Sequence, residues 1–282
     1  MRNFLLTLEY DGSLFHGWQR QPGKRTVQGQ LESVLSRICL ADVRLDGASR
    51  TDAGVHAYGQ SASFGGDFAI PPERLKLAAN NLLGAGPPDA GRRARVGDVR
   101  VADAREVPDG FHARYDAVGK KYIYRMLAVP EADIFMRNAC WQVAGEPDAG
   151  AMAEAAARMA GVRDFRAFRA SGGAETGGTV REVLGVAVYE DAFGRGGRMI
   201  SIEVTGAGFL YNMVRIMAGT LLGAGMGRIS PREIDGIIES GERGRAGPTA
   251  PPQGLCLAEV YYGREAMKAA AATRFARPCR SV

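Results

Sequence analysis

Hydrophobic and polar positions follow two different periods in the first forty residues. Apolar side chains occupy alternate positions near the start, at Phe4, Leu6, Leu8 and Tyr10, which is typical of a half-buried β-strand. A spacing of i, i+3, i+4 and i+7 then appears at Leu31, Val34, Leu35 and Ile38, after Thr26. This spacing predicts an amphipathic helix, and Thr26 is a residue type that caps helix N-termini.

The same two periods recur along the rest of the chain. Strands are predicted at 58–64, 100–105, 121–129, 183–189, 199–204 and 255–262, and helices at 71–83, 148–160 and 209–222. A strand, a helix, further strands and a helix thus occur twice. The order predicts two α+β halves, each an antiparallel sheet with helices on one face. We place the halves at 1–105 and 106–265 and leave 266–282 as a tail without a core pattern.

The composition is that of an ordinary globular protein. Of 282 residues, 46% are hydrophobic and 24% charged, and 36 Lys+Arg against 31 Asp+Glu give a net charge of +5. These values exclude disordered, collagen-like and coiled-coil chains. The longest stretch without Lys, Arg, Asp or Glu, 53–66, has 14 residues, fewer than the ~18 of a membrane span. Acidic Glu9 interrupts any signal-peptide core, so we expect a cytoplasmic protein without membrane contact.

Known cofactor motifs do not occur in the sequence. It has no G-x-x-x-x-G-K-[ST] phosphate loop, and 223–227 (GAGMG) misses the dinucleotide fingerprint and follows a predicted helix instead of opening one. Four scattered cysteines and three histidines lack metal-ligand spacing. We therefore expect no metal and no cofactor. The pI of about 9.1 is compatible with an anionic partner but does not identify one.

The densest group of chemically active side chains lies in 49–56 (SRTDAGVH). In an extended loop, alternate residues point to the same side, which would place Arg50 and Asp52 together. A carboxyl of this type ionises near pH ~3.9, lower beside a guanidinium, so Asp52 would be an anion suited to act as a nucleophile or base. The alternative is a surface Arg–Asp pair in a turn, with His56 packed in the core.

Nine segments match, in order, those of one known family. They are 10–12 (YDG), 17–19 (GWQ), 50–56 (RTDAGVH), 111–115 (FHARY), 121–122 (KY), 164–168 (DFRAF), 208–215 (GFLYNMVR), 246–251 (AGPTAP) and 254–255 (GL). Through these segments the chain resembles the TruA family of tRNA pseudouridine synthases, and the resemblance extends from residue 10 to about residue 262. A lone R-T-D would be weak support, whereas the ordered set is specific.

The resemblance implies a fold, a reaction and a partner. The fold would consist of two ferredoxin-like (RRM-like) halves that share a central, mainly antiparallel sheet flanked by helices. The reaction would convert uridine to pseudouridine at positions 38, 39 and 40, in the anticodon arm of tRNA, without a cofactor. Asp52 matches the family's catalytic aspartate, which initiates breakage of the N1–C1′ bond before C5 of the uracil joins C1′. Attack on C1′, attack on the base and removal of the 2′ proton all stay open. The family also implies a homodimer that binds the tRNA arm across both subunits.

Four further residues match family positions in the substrate site. Tyr122 corresponds to a tyrosine that stacks on the uracil, although Tyr124 lies on the same strand face and both have sheet packing as an alternative role. Arg215 corresponds to an arginine expected to pair with the catalytic carboxylate. Arg50 corresponds to one that fills the space of a flipped nucleotide. Leu255 would line the pocket, or else belong to the core.

Basic side chains outside this site are candidate RNA contacts. Arg163, Arg166 and Arg169 would form one stripe if their segment is helical, with Phe165 and Phe168 facing the core. The other candidates are Lys120, Lys121, Arg92, Arg93 and Arg95. Charge runs are more often simply solvated, so this interpretation competes with plain surface exposure.

Two other functions compete with the synthase. A catalytically inactive RRM-like RNA-binding protein would carry the basic-aromatic pattern of such modules, which the sequence lacks. A hydrolase based on Asp52 and His56 would need a second acid or an oxyanion site, and no motif supplies one.

Overall fold

The protein was analysed as a computed structural model, which describes residues 2–85, 97–172, 177–194 and 196–275. The strands are β1 (Arg2–Tyr10), β2 (Asp46–Gly47), β3 (His56–Gly66), β4 (Val99–Val107), β5 (Gly119–Ala128), β6 (Trp141–Val143), β7 (Gly161–Asp164), β8 (Val180–Phe193), β9 (Gly197–Gly206) and β10 (Leu255–Tyr261). The helices are α1 (Val27–Cys39), α2 (Pro72–Leu83), α3 (Ala149–Ala157), α4 (Met213–Gly225), α5 (Glu233–Ser240) and α6 (Arg264–Ala271).

The chain forms two compact units. The first comprises Met1–Ala117 with Leu257–Val260, and the second Val118–Cys256 with Tyr261–Val282. The domain boundary predicted at 105/106 falls inside β4 and stays a prediction.

The first unit is built around β1. This strand pairs with β3 on one side and β4 on the other, both antiparallel, and β2 adds to β3. Its apolar side chains at alternate positions, Phe4, Leu6 and Leu8, are fully buried. Thr26 caps α1, with its hydroxyl accepting the Gly29 N–H at 3.3 Å, and α2 packs on α1 and β4.

The second unit has an antiparallel succession β5–β9–β8–β7, with β6 joined to β5 in parallel. Helix α3 packs on β8 and α4, and its N-cap is Asp148, whose carboxylate accepts the Gly150 and Ala151 N–H groups. Each unit therefore combines mainly antiparallel strands with flanking helices, and the predicted α+β class is confirmed at that level.

Every predicted strand and helix is present among the described residues, but two details of the prediction are wrong. Helix α4 begins at Met213, not at 209, because Asn212 adopts the left-handed conformation (φ 58°) and interrupts the helix there. The tail begins as α6, whose Met267 is fully buried. In α5, Ile234, Ile237 and Ile238 carry a short helical spacing that the prediction missed.

No helix in the described segments is long and apolar enough to span a bilayer. Cys140 and Cys256 are buried. The thiol of Cys39 is free, and its partial burial raises the pKa of that thiol.

Candidate active site

Asp52 lies in the turn that leads into β3. It is half-buried, and its carbonyl accepts the Val55 N–H at 3.2 Å. Gly54 takes a φ of 80° in this turn, a conformation that glycine adopts without the steric cost borne by other residues. The turn thus places a half-buried carboxylate on a short and sharply folded piece of chain.

Thr51, the residue before Asp52, is held by the last residue of β1 and by the segment that follows this strand. Its hydroxyl is hydrogen-bonded to the Tyr10 hydroxyl at 2.7 Å, and its carbonyl accepts the Trp18 N–H at 3.0 Å. Gly17 (φ 82°) permits this approach, since a Cβ there would lie 2.7 Å from the Thr51 carbonyl oxygen. Sequence reasoning assigned no role to Tyr10, Gly17 or Trp18, although their segments belong to the motifs that carry the family resemblance.

Ser49 is fixed by hydrogen bonds to a side chain of β3. The fully buried Gln60 side chain accepts the Ser49 N–H at 3.2 Å and donates to the Ser49 carbonyl at 2.7 Å. This paired contact satisfies the backbone N–H and carbonyl of Ser49, which lies in a segment that is neither helix nor strand. The sequence prediction missed Gln60, because a polar residue inside a predicted strand does not reveal which loop its side chain contacts.

Arg50 projects from the same loop and is exposed. Within the part of the chain that the structure describes, no carboxylate forms an ion pair with its guanidinium. A cation in this position is available to an external anion such as a phosphate.

Two tyrosines of β5 have different environments. Tyr124 is fully buried, donates its hydroxyl to the Pro251 carbonyl at 2.8 Å, and has a pKa raised far above the ordinary value by burial. A Cβ at Gly254 would lie 2.5 Å from its ring, so Tyr124 fills the core. Tyr122 meets the Phe209 ring edge-on, with 5.1 Å between centroids, and is the tyrosine that stays a substrate-binding candidate.

Arg215 is the one residue of α4 that is not buried. Its Nε donates to the Ala250 carbonyl at 2.7 Å and its Nη1 to the Asn212 side-chain oxygen at 2.8 Å. The other residues of α4 are buried on every side of the helix. Leu255, at the start of β10, is 7% exposed, a burial that fits either of its predicted roles.

The predicted arginine stripe at 163–169 is not helical. Arg163 lies in β7 and Arg166 opens a short 3-10 turn that ends at Phe168. Arg163 Nη1 donates to Asp235 Oδ1 at 2.8 Å, whereas Arg166 is exposed. Only the core position predicted for Phe165 and Phe168 is confirmed, as both are fully buried.

Lys121 is unsuited to the RNA contact predicted for it. Its side chain is 3% exposed and its Nζ lies 2.6 Å from Glu203 Oε2. Strand alternation and burial therefore turn this ammonium group into the core, while the neighbouring Lys120 is half-buried. Arg92, Arg93 and Arg95 lie outside the described residues.

Comparison with known proteins identifies the family of this chain. The family model for tRNA pseudouridine synthase matches residues 7–116 and 155–263. The chain is 48% identical over 264 residues to tRNA pseudouridine synthase A of Ruminiclostridium cellulolyticum, covering 93% of this chain and 100% of that protein. It is 42% identical to proteins of the same name from a Thermoanaerobacter species and from Acetivibrio thermocellus, with 93% of this chain and 100% of each relative covered. The matched segments contain the Asp52 turn together with Tyr10 and Gln60, whose side chains fix it. The chain belongs to the tRNA pseudouridine synthase family.

Proposed function

We propose that this protein is an isomerase that converts uridine to pseudouridine at positions 38, 39 and 40 in the anticodon arm of tRNA. Family membership supports the reaction and the tRNA substrate. The observation that carries the assignment of the catalytic group is the Asp52 turn, in which a carboxylate is presented by backbone fixed at Ser49 and Thr51. Such fixing holds a reactive group in position without reorganisation during the reaction.

In the proposed reaction, Asp52 initiates breakage of the N1–C1′ glycosidic bond. The uracil then rotates, C5 bonds to C1′, and the hydrogen on C5 leaves as a proton while N1 gains one. Atoms and electrons balance within the uridine itself, so the step requires no redox partner. A carboxylate that is ionised at neutral pH is suited to act as the nucleophile or base that starts it.

The substrate-binding roles of four residues form part of the proposal. Arg50 takes the place of the flipped nucleotide, a role that the exposure of its side chain supports. Tyr122 stacks on the uracil with its ring oriented by the edge of Phe209. Arg215 binds an anionic group at the reaction centre, and Leu255 lines the pocket.

We keep three basic residues outside the substrate site, Lys120, Arg166 and Arg169, as proposed RNA contacts. Arg163 and Lys121 are withdrawn from that group because each already pairs with a carboxylate.

The finer architecture and the setting follow from the same proposal. We propose two ferredoxin-like halves, supported by the strand–helix–strand–strand–helix–strand order β1–α1–β2–β3–α2–β4 of the first unit. We also propose that a homodimer binds the anticodon arm and that the enzyme acts in the cytoplasm, where tRNA is modified.

The proposal is tested by tritium release from tRNA labelled at C5 of its uridines. Formation of the C5–C1′ bond must expel that hydrogen, so release reports the reaction and not mere binding. We expect release from tRNA with uridine at 38, 39 or 40 and none when all three positions carry other bases. Tight binding without release would overturn the proposal in favour of an inactive RNA-binding protein.

A further inference from the structure

The chain is tied down on both sides of Asp52. One residue before it, Thr51 is held by the contacts described above. Four residues after it, the imidazole of His56 accepts a hydrogen bond from the Gly12 N–H, with 3.1 Å between Gly12 N and His56 Nδ1. Asp52 therefore lies between two fixed points that both connect to the segment following β1.

The short piece of backbone between Asp52 and His56 has little freedom to absorb a displacement. It turns sharply at Gly54, and the Val55 N–H closes the turn on the Asp52 carbonyl. Gly12 lies directly against it, since a Cβ at Gly12 would be 2.0 Å from the Val55 carbonyl oxygen. A change in the position of the His56 ring is therefore transmitted to the turn that carries Asp52.

The nitrogen chemistry of His56 indicates what the ring contributes. A backbone N–H is always a donor, so Nδ1 must carry no proton in this contact and the neutral ring has its proton on Nε2. Nε2 is buried, and across the described segments nothing forms a hydrogen bond with it. A buried polar atom without a partner is unfavourable, so an apolar ring of the same shape would fill this space at lower cost. What only the imidazole supplies is the Nδ1 acceptor.

The nearby carboxylate of Asp11 does not replace Gly12 as the partner. Asp11 Oδ1 lies 3.2 Å from His56 Nδ1, but the same oxygen already accepts two hydrogen bonds, from the Ser13 N–H at 2.9 Å and from the Ser13 hydroxyl at 2.5 Å. One nitrogen cannot accept from Gly12 and donate to Asp11 at the same time. In the neutral ring, the link to the segment after β1 is the Gly12 hydrogen bond.

We propose that His56 is a positioning residue for Asp52, acting through the hydrogen bond between its Nδ1 and the Gly12 N–H. The inference rests on the proposed function, because it assigns a purpose to a contact beside the proposed catalytic group. His56 does not take part in proton transfer; it sets where the Asp52 carboxylate lies.

Three substitutions separate the acceptor from the shape of the ring. His56→Asn keeps an oxygen near the position of Nδ1, His56→Phe keeps the ring without an acceptor, and His56→Gln places its polar group near Nε2 instead. We expect the Phe and Gln variants to lower the maximal single-turnover rate by about 10- to 100-fold, the effect of a displacement on the order of 1 Å. The half-saturating tRNA concentration should stay within about 2-fold, since ground-state binding is unaffected. His56→Asn should recover most of the rate.

His112 offers a matched control elsewhere in the same unit. Its Nδ1 also accepts a backbone N–H, that of Arg114 at 3.0 Å, and its Nε2 lies 3.6 Å from a carboxylate oxygen of Asp46. His112→Phe removes an equivalent acceptor outside the Asp52 turn and should leave the rate within about 2-fold of the wild type. Equal losses in His56→Asn and His56→Phe, or an equal loss in His112→Phe, would overturn the positioning role.

Nitrogen NMR of the histidine rings at pH 8 provides a readout that is independent of activity. The resonances absent from His56→Asn identify the ring, which should have its proton on Nε2. A proton on Nδ1 would overturn the inference even if the enzyme is active. Failure of the proposed function is recognised separately, because the wild type itself would then release no tritium, and the inference would fall with it.

Discussion

Replacing Lys121 with methionine is expected to destabilise the protein by about 3–5 kcal/mol, the cost of breaking a buried ion pair by removing one partner. Lys121 and Glu203 lie on neighbouring strands, with side chains only 3% and 5% exposed. The strands β5 and β9 are paired so that Lys121 faces Thr205 and Glu203 faces Ile123, which sets the two groups diagonally across the ladder. Neither charge has access to water that could replace its partner.

The magnitude follows from what the ammonium group contacts. All three of its donors are used, on Glu203 Oε2 at 2.6 Å, the Ala270 carbonyl at 3.0 Å and the Thr273 carbonyl at 2.6 Å. Methionine fills a similar volume but leaves a buried carboxylate that, within the described residues, accepts the Phe275 N–H. The same substitution frees the Ala270 carbonyl in the last turn of α6 and the Thr273 carbonyl after the helix, so the end of α6 should detach more easily.

Urea unfolding of Lys121→Met, Glu203→Gln and the double variant tests this reasoning. Glu203→Gln should be destabilising in the wild type but stabilising in the Lys121→Met background, because there it removes an uncompensated buried charge. Turnover of tRNA under conditions where each variant is folded should be unchanged. A loss below about 1 kcal/mol for Lys121→Met, typical of exposed ion pairs, would refute the reasoning. So would the same effect of Glu203→Gln in both backgrounds.

Three further predictions concern other parts of the chain. Arg50→Ala should leave the unfolding midpoint unchanged and lower the tRNA turnover rate by at least about 10-fold, or about 1.4 kcal/mol of transition-state stabilisation. The control is Arg44→Ala, at another exposed arginine of the same unit, and an equal loss in both would contradict the role of Arg50. Met267→Ala should cost about 2–5 kcal/mol in urea unfolding, because the side chain is fully buried, and an effect near zero would show that α6 does not pack as described. Hydrogen bonds from Arg163 and then Arg158 hold the pKa of Asp235 below its ordinary value. The ionised carboxylate therefore stabilises the folded protein above the unfolded-state pKa of ~3.9, and this stabilisation is lost as the pH falls through the lower folded-state pKa. Asp235→Asn should therefore flatten the acid side of the stability profile below pH ~3.9, and an unchanged slope would contradict this pairing.

Elements with a long and regular pattern could be predicted from the sequence. In β1 the alternation runs over nine residues, and in α1 the apolar spacing is accompanied by a capping threonine. In contrast, β7 has only four residues, too few for a regular pattern, and the start of α4 at Met213 is set by the left-handed backbone of Asn212 and not by an apolar spacing. Arg163 lies in a strand because β7 pairs with β8, a tertiary contact that the spacing of residues along the chain does not reveal.

The candidate site was only partly accessible to sequence reasoning. Asp52 and Arg50 stand in a loop too rich in small and polar residues to form a core, and the family resemblance assigned them roles. The supports of that loop were not accessible, because Tyr10 and Gln60 act through contacts with residues 11 or more positions away. Similarly, Lys121 and Tyr122 are neighbours in sequence, but the strand places one in a buried ion pair and the other against an aromatic edge.

The most direct test of the central claim is site-resolved detection of pseudouridine in one tRNA treated with the wild type and with Asp52→Asn. Asparagine keeps the size of the side chain but cannot act as an anion, and retained tRNA binding shows that the variant is folded. We predict pseudouridine at positions 38, 39 and 40 with the wild type and none with Asp52→Asn at equal binding. Pseudouridine formation by the variant, or its absence with the wild type despite binding, would contradict the account.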